Sequence, residues 1–274
     1  MTVGPLALPA HLRLRPCRHG AMLYSPNDRF CGRMLELYGE FSEGEHEAFA
    51  GVLRPGMTAV EAGANIGAHT LGLAHLVGPA GRVLAFEPQR PIFQVMCANM
   101  ALNAITCVET HWAAVGSTPG SLAVPRLDLR MPGNFGGIEL GPGRAAPPVP
   151  EEPVPVVTLD SFALPACHLI KIDVEGMEAD VLRGAAETIA RHRPVIYAEN
   201  DRPKRAPELL GLLEALGYRA FWHLPPYVRV PNFRGNPQNE YPGLVSLNVL
   251  CIHRSAAIEV SGLAEAHPGG PWPI

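Results

Sequence analysis

The sequence predicts an α/β fold built on a mainly parallel sheet, and three observations carry that expectation. Short apolar runs alternate with segments of helical spacing along most of the chain between Met57 and His253. Several of these runs end in a carboxylate: Val60-Glu61, Phe86-Glu87, Ile172-Asp173 and Ala198-Glu199. Between the first two lies Gly63-Ala64-Asn65-Ile66-Gly67, a glycine-bearing turn that opens a helix and lets a ligand approach the backbone.

Taken in order, residues 1–20 show no periodicity and read as an arm. Ser42-x-x-Glu45 has the form of a capping box ahead of a helix carrying Phe49, Val52 and Leu53. Tyr38 and Glu45 are alternatively placed to reach over a ligand bound at the glycine turn. Residues 1–50 are therefore assigned to an N-terminal arm and cap helices. Arg54-Pro55-Gly56 turns the chain into the first strand, and Ile66, Thr70, Leu73 and Val77 mark the helix that follows, stopped by Gly78-Pro79. After Glu87-Pro88 come a helix over 91–103 and an apolar third strand over 107–115.

From 116 to 155 the alternation stops, glycine and proline punctuate short apolar runs, and an insertion with a β-hairpin is expected. In His168-Leu169-Ile170-Lys171-Ile172-Asp173-Val174-Glu175-Gly176, read as a strand, Lys171, Asp173 and Glu175 share a face. Charges there are costly to bury unless they are paired or lie at the strand's end, so they point either to a site or to a Lys171–Asp173 ion pair. Val181, Leu182, Ala185 and Ile189 mark a helix, 194–200 a strand, Leu209 to Leu216 a helix, and 218–223 and 246–253 two last strands. The loop between those strands, 225–242, carries aromatic and amide side chains. Residues 255–274, rich in proline and glycine, are expected to be a disordered tail, which leaves 51–254 as the ligand-binding domain.

The composition is that of an ordinary globular chain, with 47% apolar residues in 274 and a formal charge of −4 that provides no basic field for nucleic acid. The six cysteines form no C-x-x-C pair and read as reduced thiols. With no secretory leader and no membrane-length apolar run in the sequence, a cytoplasmic protein acting on a small molecule is expected.

The turn also says which nucleoside it suits. A dinucleotide fingerprint needs a middle glycine to admit pyrophosphate, and Asn65 stands there. Glu61 would repel phosphate but could accept hydrogen bonds from an ammonium group, and Glu87 could take both hydroxyls of a ribose. Adenosine joined to an amino-acid tail, as in S-adenosylmethionine, fits these groups. A nicotinamide-dependent oxidoreductase and a non-catalytic adenosine-binding protein are the alternatives.

Glu61-Ala-Gly-Ala-Asn-Ile-Gly67, Phe86-Glu87-Pro88, Asn99 to Asn103, Thr158-Leu159-Asp160 and Ile170-Lys-Ile-Asp-Val-Glu-Gly176 together resemble the FkbM family of S-adenosylmethionine-dependent methyltransferases, over roughly 30–253. The resemblance implies a Rossmann-like class I methyltransferase: seven strands ordered 3-2-1-4-5-7-6, the last antiparallel, with helices on both faces and methyl transfer to a hydroxyl oxygen, here of a sugar or secondary metabolite. By position it assigns Glu61, Gly63, Asn65 and Gly67 to the methionine end, Glu87 to the ribose and the segment from Ala113 to the adenine. One departure is Glu61, where many relatives carry Asp; the extra methylene is expected to shift the methionine tail. The full candidate cofactor set is Tyr38, Glu45, Glu61, Gly63, Ala64, Asn65, Gly67, Thr70, Glu87, Pro88, Ala113, Ala114 and Asp173. Because a protonated alcohol is a poor nucleophile, a general base or a bound cation is expected, with Asp173, Glu175, Glu199 and His223 as the candidates and carboxylate-assisted deprotonation without a metal the favoured form. Asn134, Asn232 and Asn236 are the candidate acceptor contacts.

Overall fold

A computed structural model describes residues 7–140 and 149–274. The chain begins with a hairpin, β1 (Arg13–Cys17) and β2 (Gly20–Tyr24), followed by α1 (Cys31–Tyr38) and α2 (Glu43–Val52). The βα alternation then runs through β3 (Thr58–Ala62), α3 (Ala68–Val77), β4 (Arg82–Phe86), α4 (Arg90–Leu102) and β5 (Val108–His111). A small sheet follows from β6 (Ala114–Val115), β7 (Gly120–Pro125) and β8 (Glu151–Val157). The second half comprises β9 (Leu169–Ile172), α5 (Glu178–Arg183), α6 (Ala186–His192), β10 (Val195–Glu199), α7 (Ala206–Ala215), β11 (Tyr218–His223), β12 (Asn248–His253) and β13 (Glu265–Ala266).

The large sheet is ordered β13-β11-β12-β10-β9-β3-β4-β5, with β12 antiparallel to both neighbours. Numbering the seven expected strands in chain order, this is 3-2-1-4-5-7-6 with an eighth strand added at the β11 edge. β3 and β9 are buried at every residue, as a parallel strand covered on both faces must be. Alternate residues serve opposite layers. Val60, Leu84 and Ile170 pack with Val181, Ile189 and Leu209 on one face, whereas Ala59, Val83 and Leu169 pack with Phe49, Leu73 and Val77 on the other.

The N-terminal hairpin is tied to this body by α4. Asn99 is fully buried; its Oδ1 accepts from Leu23 N (2.6 Å), while its Nδ2 donates to Leu23 O (3.0 Å) and Ile66 O (2.8 Å). One turn later Asn103 makes the matching pair with Ala21 N and Ala21 O. The two amides thus stand in for a strand partner to β2 and fix the loop that begins α3.

Several expectations are corrected. Within 1–20, β1 forms and pairs with β2, so the segment is not a bare arm. Ser42 does not cap α2: its hydroxyl donates to Glu45 Oε1 (2.8 Å), and its own φ of 46° places it in the left-handed region. The run 107–115 splits into β5 and β6, and the helix over 181–189 into α5 and α6 at Gly184, where a Cβ would lie 2.0 Å from Gly116 O. The insertion does contain antiparallel strands, but β7 pairs with β8 rather than with the apolar run at 137–140. Part of the proline-rich stretch, 141–148, lies outside the described residues. The tail is ordered within 255–274: β13 pairs with β11, and Trp272 packs on Trp222 with ring centroids 5.3 Å apart. Proline and glycine there mark turns rather than disorder.

Candidate functional site

The site lies at the carboxyl ends of β4, β3 and β9, where register pairs Ala62 with both Phe86 and Ile172. Backbone bonds lace the three exits together: Gly63 N and Ala64 N donate to Phe86 O, and Asp173 N donates to Ala62 O. Gly63 has φ 84°, and a Cβ on it would sit 1.7 Å from Asp173 O, so this crossing admits only glycine. Glu87 follows at the tip of β4. Its Oε2 accepts from Asn65 N (2.9 Å) and its Oε1 from Gln89 N (2.8 Å), leaving a free lone pair on each oxygen. Burial nevertheless pushes the Glu87 carboxyl up to about 7, against the two backbone hydrogen bonds that lower it.

Lys171 points into the same end of the sheet and is 2% exposed. Its Nζ lies 3.2 Å from Asp173 Oδ2 and 3.7 Å from Glu61 Oε1, while Thr70 Oγ1 donates to Glu61 Oε2 (2.6 Å). Burial alone would lower the lysine, but Asp173, Glu61 and Glu45 outweigh it and hold the ammonium protonated. Glu61, buried and sharing that cation with the nearer Asp173, is pushed up to about 7. The ion pair anticipated between Lys171 and Asp173 is present, and Asp173 still faces the cavity with its side chain 38% exposed.

Asp173 and Glu175 are not strand residues. β9 ends at Ile172, and the chain turns through Glu175 at φ 55° and Gly176 at φ 100°. That turn swings Glu175 toward Glu199 at the end of β10, so that Asp173, Glu175 and Glu199 each offer an oxygen within 4.8 Å of the others. Arg202 sits among them, pairing closely with Glu175 and lying 3.5 Å from Glu199 Oε2 and 2.8 Å from Asp201 Oδ1. Burial first and Asp173 second push Glu175 up to about 7, and Glu199 is likewise raised by burial, then by Asp173 and Glu175. Such a trio can hold a proton or a divalent cation, the two alternatives that the chemistry of an alcohol acceptor raises.

These groups line a cavity of about 340 Å³. Six carboxylates face it, on Glu61, Glu87, Asp173, Glu175, Glu199 and Asp201, against two cations, Lys171 and Arg202. Phe30, Phe41 and Tyr227 form an aromatic wall, the rings of Phe30 and Tyr227 meeting edge to face at 4.7 Å. A narrow recess of about 40 Å³ adjoins it, lined by Pro88, Ala113, Ala114 and Val115, with Gly63, Glu87, Asp173 and Glu175 common to both. The roof is the insertion segment around Asn134, Gly136 and Gly137.

A nucleoside with an amino-acid tail fits this shape. Pro88, Ala113, Ala114 and Val115 flank the recess, and Glu87 stands at its mouth with a free lone pair on each carboxylate oxygen. Gln89 Oε1, buried without a partner beside Glu87, is a further acceptor without a donor, a condition that costs ~1–3 kcal/mol.

Of the candidate cofactor residues, Glu61, Gly63, Ala64, Asn65, Glu87, Pro88, Ala113, Ala114 and Asp173 line one or both spaces. Thr70 acts one layer behind through Glu61, and Gly67 packs toward Met96 and Met100. Glu45 lies behind His69, 3.7 Å from its Nε2. Tyr38 is outside the site: buried beside Met34 and Val228, its hydroxyl accepts from Glu240 N. Among the candidate bases, His223 is likewise elsewhere, its Nδ1 bonded to Tyr197 Oη (2.8 Å) and its ring near Trp272. Asn134 reaches the cavity, but Asn232 and Asn236 do not. Asn232 bonds to the Asn236 backbone at both amide atoms and Asn236 to Leu37 O, so their polarity holds the loop together. Sequence reasoning missed Gln89, Arg202, Phe30 and Phe41. Arg202, three residues after a strand-end glutamate and next to Asp201, was a local signal for a charge-balanced cluster.

The family described as Methyltransferase FkbM domain matches residues 61–220, from Glu61 to the middle of β11. Methyltransferase 1 of Beauveria bassiana is 32% identical over 143 residues, covering 46% of this chain and 57% of that protein. Methyltransferase sdnD of Sordaria araneosa is 29% identical over 202 residues, covering 60% of this chain and 76% of that protein. The chain thus spans little more than half the length of the first of these relatives. A solved FkbM methyltransferase from Methylobacillus flagellatus KT aligns with TM-score 0.46 at 18% identity, covering 75% of this chain and 50% of that one.

Proposed function

The chain belongs to the FkbM methyltransferase family, with S-adenosylmethionine as cofactor, and from that premise we propose that it methylates a hydroxyl oxygen of a small, non-anionic acceptor. The observation that carries this reading is that Asp173 and Glu175 border both the narrow recess and the larger cavity. A nucleoside seated in the recess would extend its amino-acid tail past Gly63 and Asn65 into the larger cavity, whose remaining wall of Glu175, Glu199 and Tyr227 is left for a second molecule.

When bound, the cofactor supplies a methyl group already activated on a sulfonium, so the protein's part is to orient, to exclude water and to remove a proton. Glu87 would hold the ribose by its two free lone pairs. Glu61, already engaged by Thr70 and Lys171, has little left for the ammonium of the amino-acid tail and acts mainly as the counter-ion of Lys171. Glu175 is the preferred base. Its carboxyl lies near 7, matched to proton transfer at neutral pH, and Arg202 fixes its orientation. Asp173 is tied to the Lys171 ammonium at 3.2 Å, so one of its oxygens is already engaged. The excess of carboxylates over cations disfavours a phosphorylated or carboxylated acceptor, and the wall of Phe30, Phe41 and Tyr227 offers a face for a ring.

Incubating the protein with methyl-labelled S-adenosylmethionine and fractionated neutral metabolites, then reading products by mass spectrometry, tests the proposal. An O-methylated neutral product supports it; label found only on anionic acceptors, or on nitrogen or carbon, refutes the acceptor reading. Cofactor binding with no turnover on any fraction favours a non-catalytic adenosine-binding protein.

A further inference from the structure

His69 stands in the first turn of α3 and lines the larger cavity but not the recess. It is 6% exposed, and its ring meets that of Phe41 at 5.4 Å and that of Phe49 edge to face at 5.7 Å. Phe41 in turn meets Tyr227 at 5.9 Å and Phe30 edge to face at 6.0 Å, so the imidazole continues the aromatic wall toward the start of α3. A ring buried this far ordinarily spends both nitrogens on protein partners. Among the described residues His69 spends neither: the Glu45 carboxylate lies 3.7 Å from Nε2, beyond hydrogen-bond length. The side-chain atoms that are both unpartnered and sealed are His46 Nδ1, Gln89 Oε1, His111 Nε2 and Asn200 Nδ2, and no atom of His69 is among them. The His69 nitrogens are thus unpartnered and still accessible.

The charge state of the ring narrows what it can do. Burial first and the Lys171 ammonium second hold the imidazole well below its ordinary value, so it stays neutral. A neutral ring gives the carboxylate of an amino-acid tail no counter-charge, and it is a weaker proton acceptor than Glu175. What it does offer is one donor and one acceptor beside an aromatic face. The Glu45 carboxylate favours the proton on Nε2, which leaves the lone pair of Nδ1 for a hydroxyl.

We propose that His69 is an acceptor-binding residue: its imidazole takes a hydrogen bond from a hydroxyl of the acceptor other than the one that is methylated, beside the wall of Phe30, Phe41 and Tyr227. The acceptor class narrows accordingly to an uncharged ring with at least two hydroxyls, one presented to Glu175 and another to His69. The inference rests on the O-methylation reading. Its consequence is regiochemical. A ring held only by an aromatic face can turn on it, and the contact to His69 fixes which hydroxyl meets the methyl group.

The test compares the wild type with His69→Phe, which keeps a ring among its aromatic neighbours and removes both nitrogens, and with His69→Asn, which keeps a donor and an acceptor. His69→Ala stands in if the phenylalanine variant does not fold. Each full-length protein is incubated with methyl-labelled S-adenosylmethionine and the neutral metabolite fraction. Initial rates against dilution of the fraction give an apparent KM, and chromatography of the labelled products separates positional isomers. His69→Phe should raise KM roughly three- to tenfold, the factor of one neutral hydrogen bond, with a smaller change in kcat. Its label should also spread over more than one hydroxyl, and His69→Asn should recover part of both properties. Calorimetry with S-adenosylhomocysteine should give the same affinity for all three proteins. Unchanged KM with a single product in the variants would overturn this inference alone, as would a fall in kcat at constant KM, which would make the imidazole the base. A tenfold loss of S-adenosylhomocysteine affinity in His69→Phe would also overturn it, by moving the ring to the amino-acid tail. No labelled product from the wild type with any neutral fraction would overturn the O-methylation reading and this inference together.

Discussion

Lys171 lies directly opposite Glu61 in the parallel pairing of β9 with β3, its ammonium 3.7 Å from the Glu61 carboxylate and 3.2 Å from that of Asp173. A buried cation thus serves two carboxylates, one on β3 and one in the turn that follows β9. Removing it leaves both without their partner in a low-dielectric wall. Lys171→Met should cost about 3–5 kcal/mol of stability, measured by urea unfolding. Lys171→Met combined with Glu61→Gln should recover part of the loss, because one uncompensated charge has been removed. An additive double variant would show that the pair does not interact.

Glu87 is expected to hold the cofactor rather than the fold. Glu87→Ala should weaken S-adenosylhomocysteine binding by roughly 1.5–3 kcal/mol in calorimetry, the range of hydrogen bonds to a charged group. NAD should give no heat with the wild type, since Asn65 stands where a pyrophosphate-binding turn needs glycine. Heat from NAD with none from S-adenosylhomocysteine would reverse the assignment.

Stability without ligand should fall as pH rises. Glu61, Glu87 and Glu175 are each pushed from an ordinary 4.5 to about 7, chiefly by burial. Between those values the folded chain binds more protons than the unfolded one, so each of these groups lowers stability progressively across that window. The melting temperature of the free protein should therefore drop from about pH 6.5 toward about pH 7.5, above the range in which the buried histidines His46 and His69 oppose the glutamates, and S-adenosylhomocysteine should flatten the trend by donating to Glu87. A melting temperature that rises over this range, with or without ligand, would contradict the burial argument.

Catalysis should follow Glu175. Once an acceptor is known, Glu175→Gln should lower turnover about 10²- to 10⁴-fold with little change in S-adenosylhomocysteine affinity, and wild-type turnover should rise through about pH 7. Asp173→Asn should cost less in turnover and more in melting temperature, because Lys171 loses its nearer partner. Because Asp173, Glu175 and Glu199 can also hold a cation, EDTA followed by Mg²⁺ belongs in the same assay. Loss of activity on chelation, restored by the metal, would move Glu175 from base to ligand.

The parts of the site made by strand ends were legible in the sequence, because a run that finishes in Gly63, Glu87 or Asp173 reports its own place at the sheet's carboxyl edge. The parts made by chain returning from elsewhere were not. Asn232 and Asn236 looked like acceptor contacts from composition alone, yet their amides are consumed within the loop. Tyr227 from the same loop reaches the cavity through packing with Phe30 that no local pattern encodes. The Asn99 to Asn103 motif was visible as a spacing of four, but its partners in β2 lie about 80 residues away in the chain. Asp160 is similar. Its carboxylate accepts from Glu187 N and Thr188 N at the start of α6, a cap supplied by a distant segment.

Strand β13 changes what the sheet can do to other molecules. A strand with one unpaired side offers a row of amides and carbonyls to any passing extended segment, including the same strand in another copy. β11, with Phe221 and Trp222 buried, would be such a template if its flank were bare. The two residues of β13 close part of that flank, and Trp222 N, the next donor along it, is met by Ala264 O. The opposite edge, β5, is only four residues long and carries Glu109 clasped by Arg82. One edge is guarded by charge and brevity, the other by the chain's own last residues. Removing the residues after His253 would therefore leave the groups around the cavity in place while exposing a surface for edge-to-edge self-association.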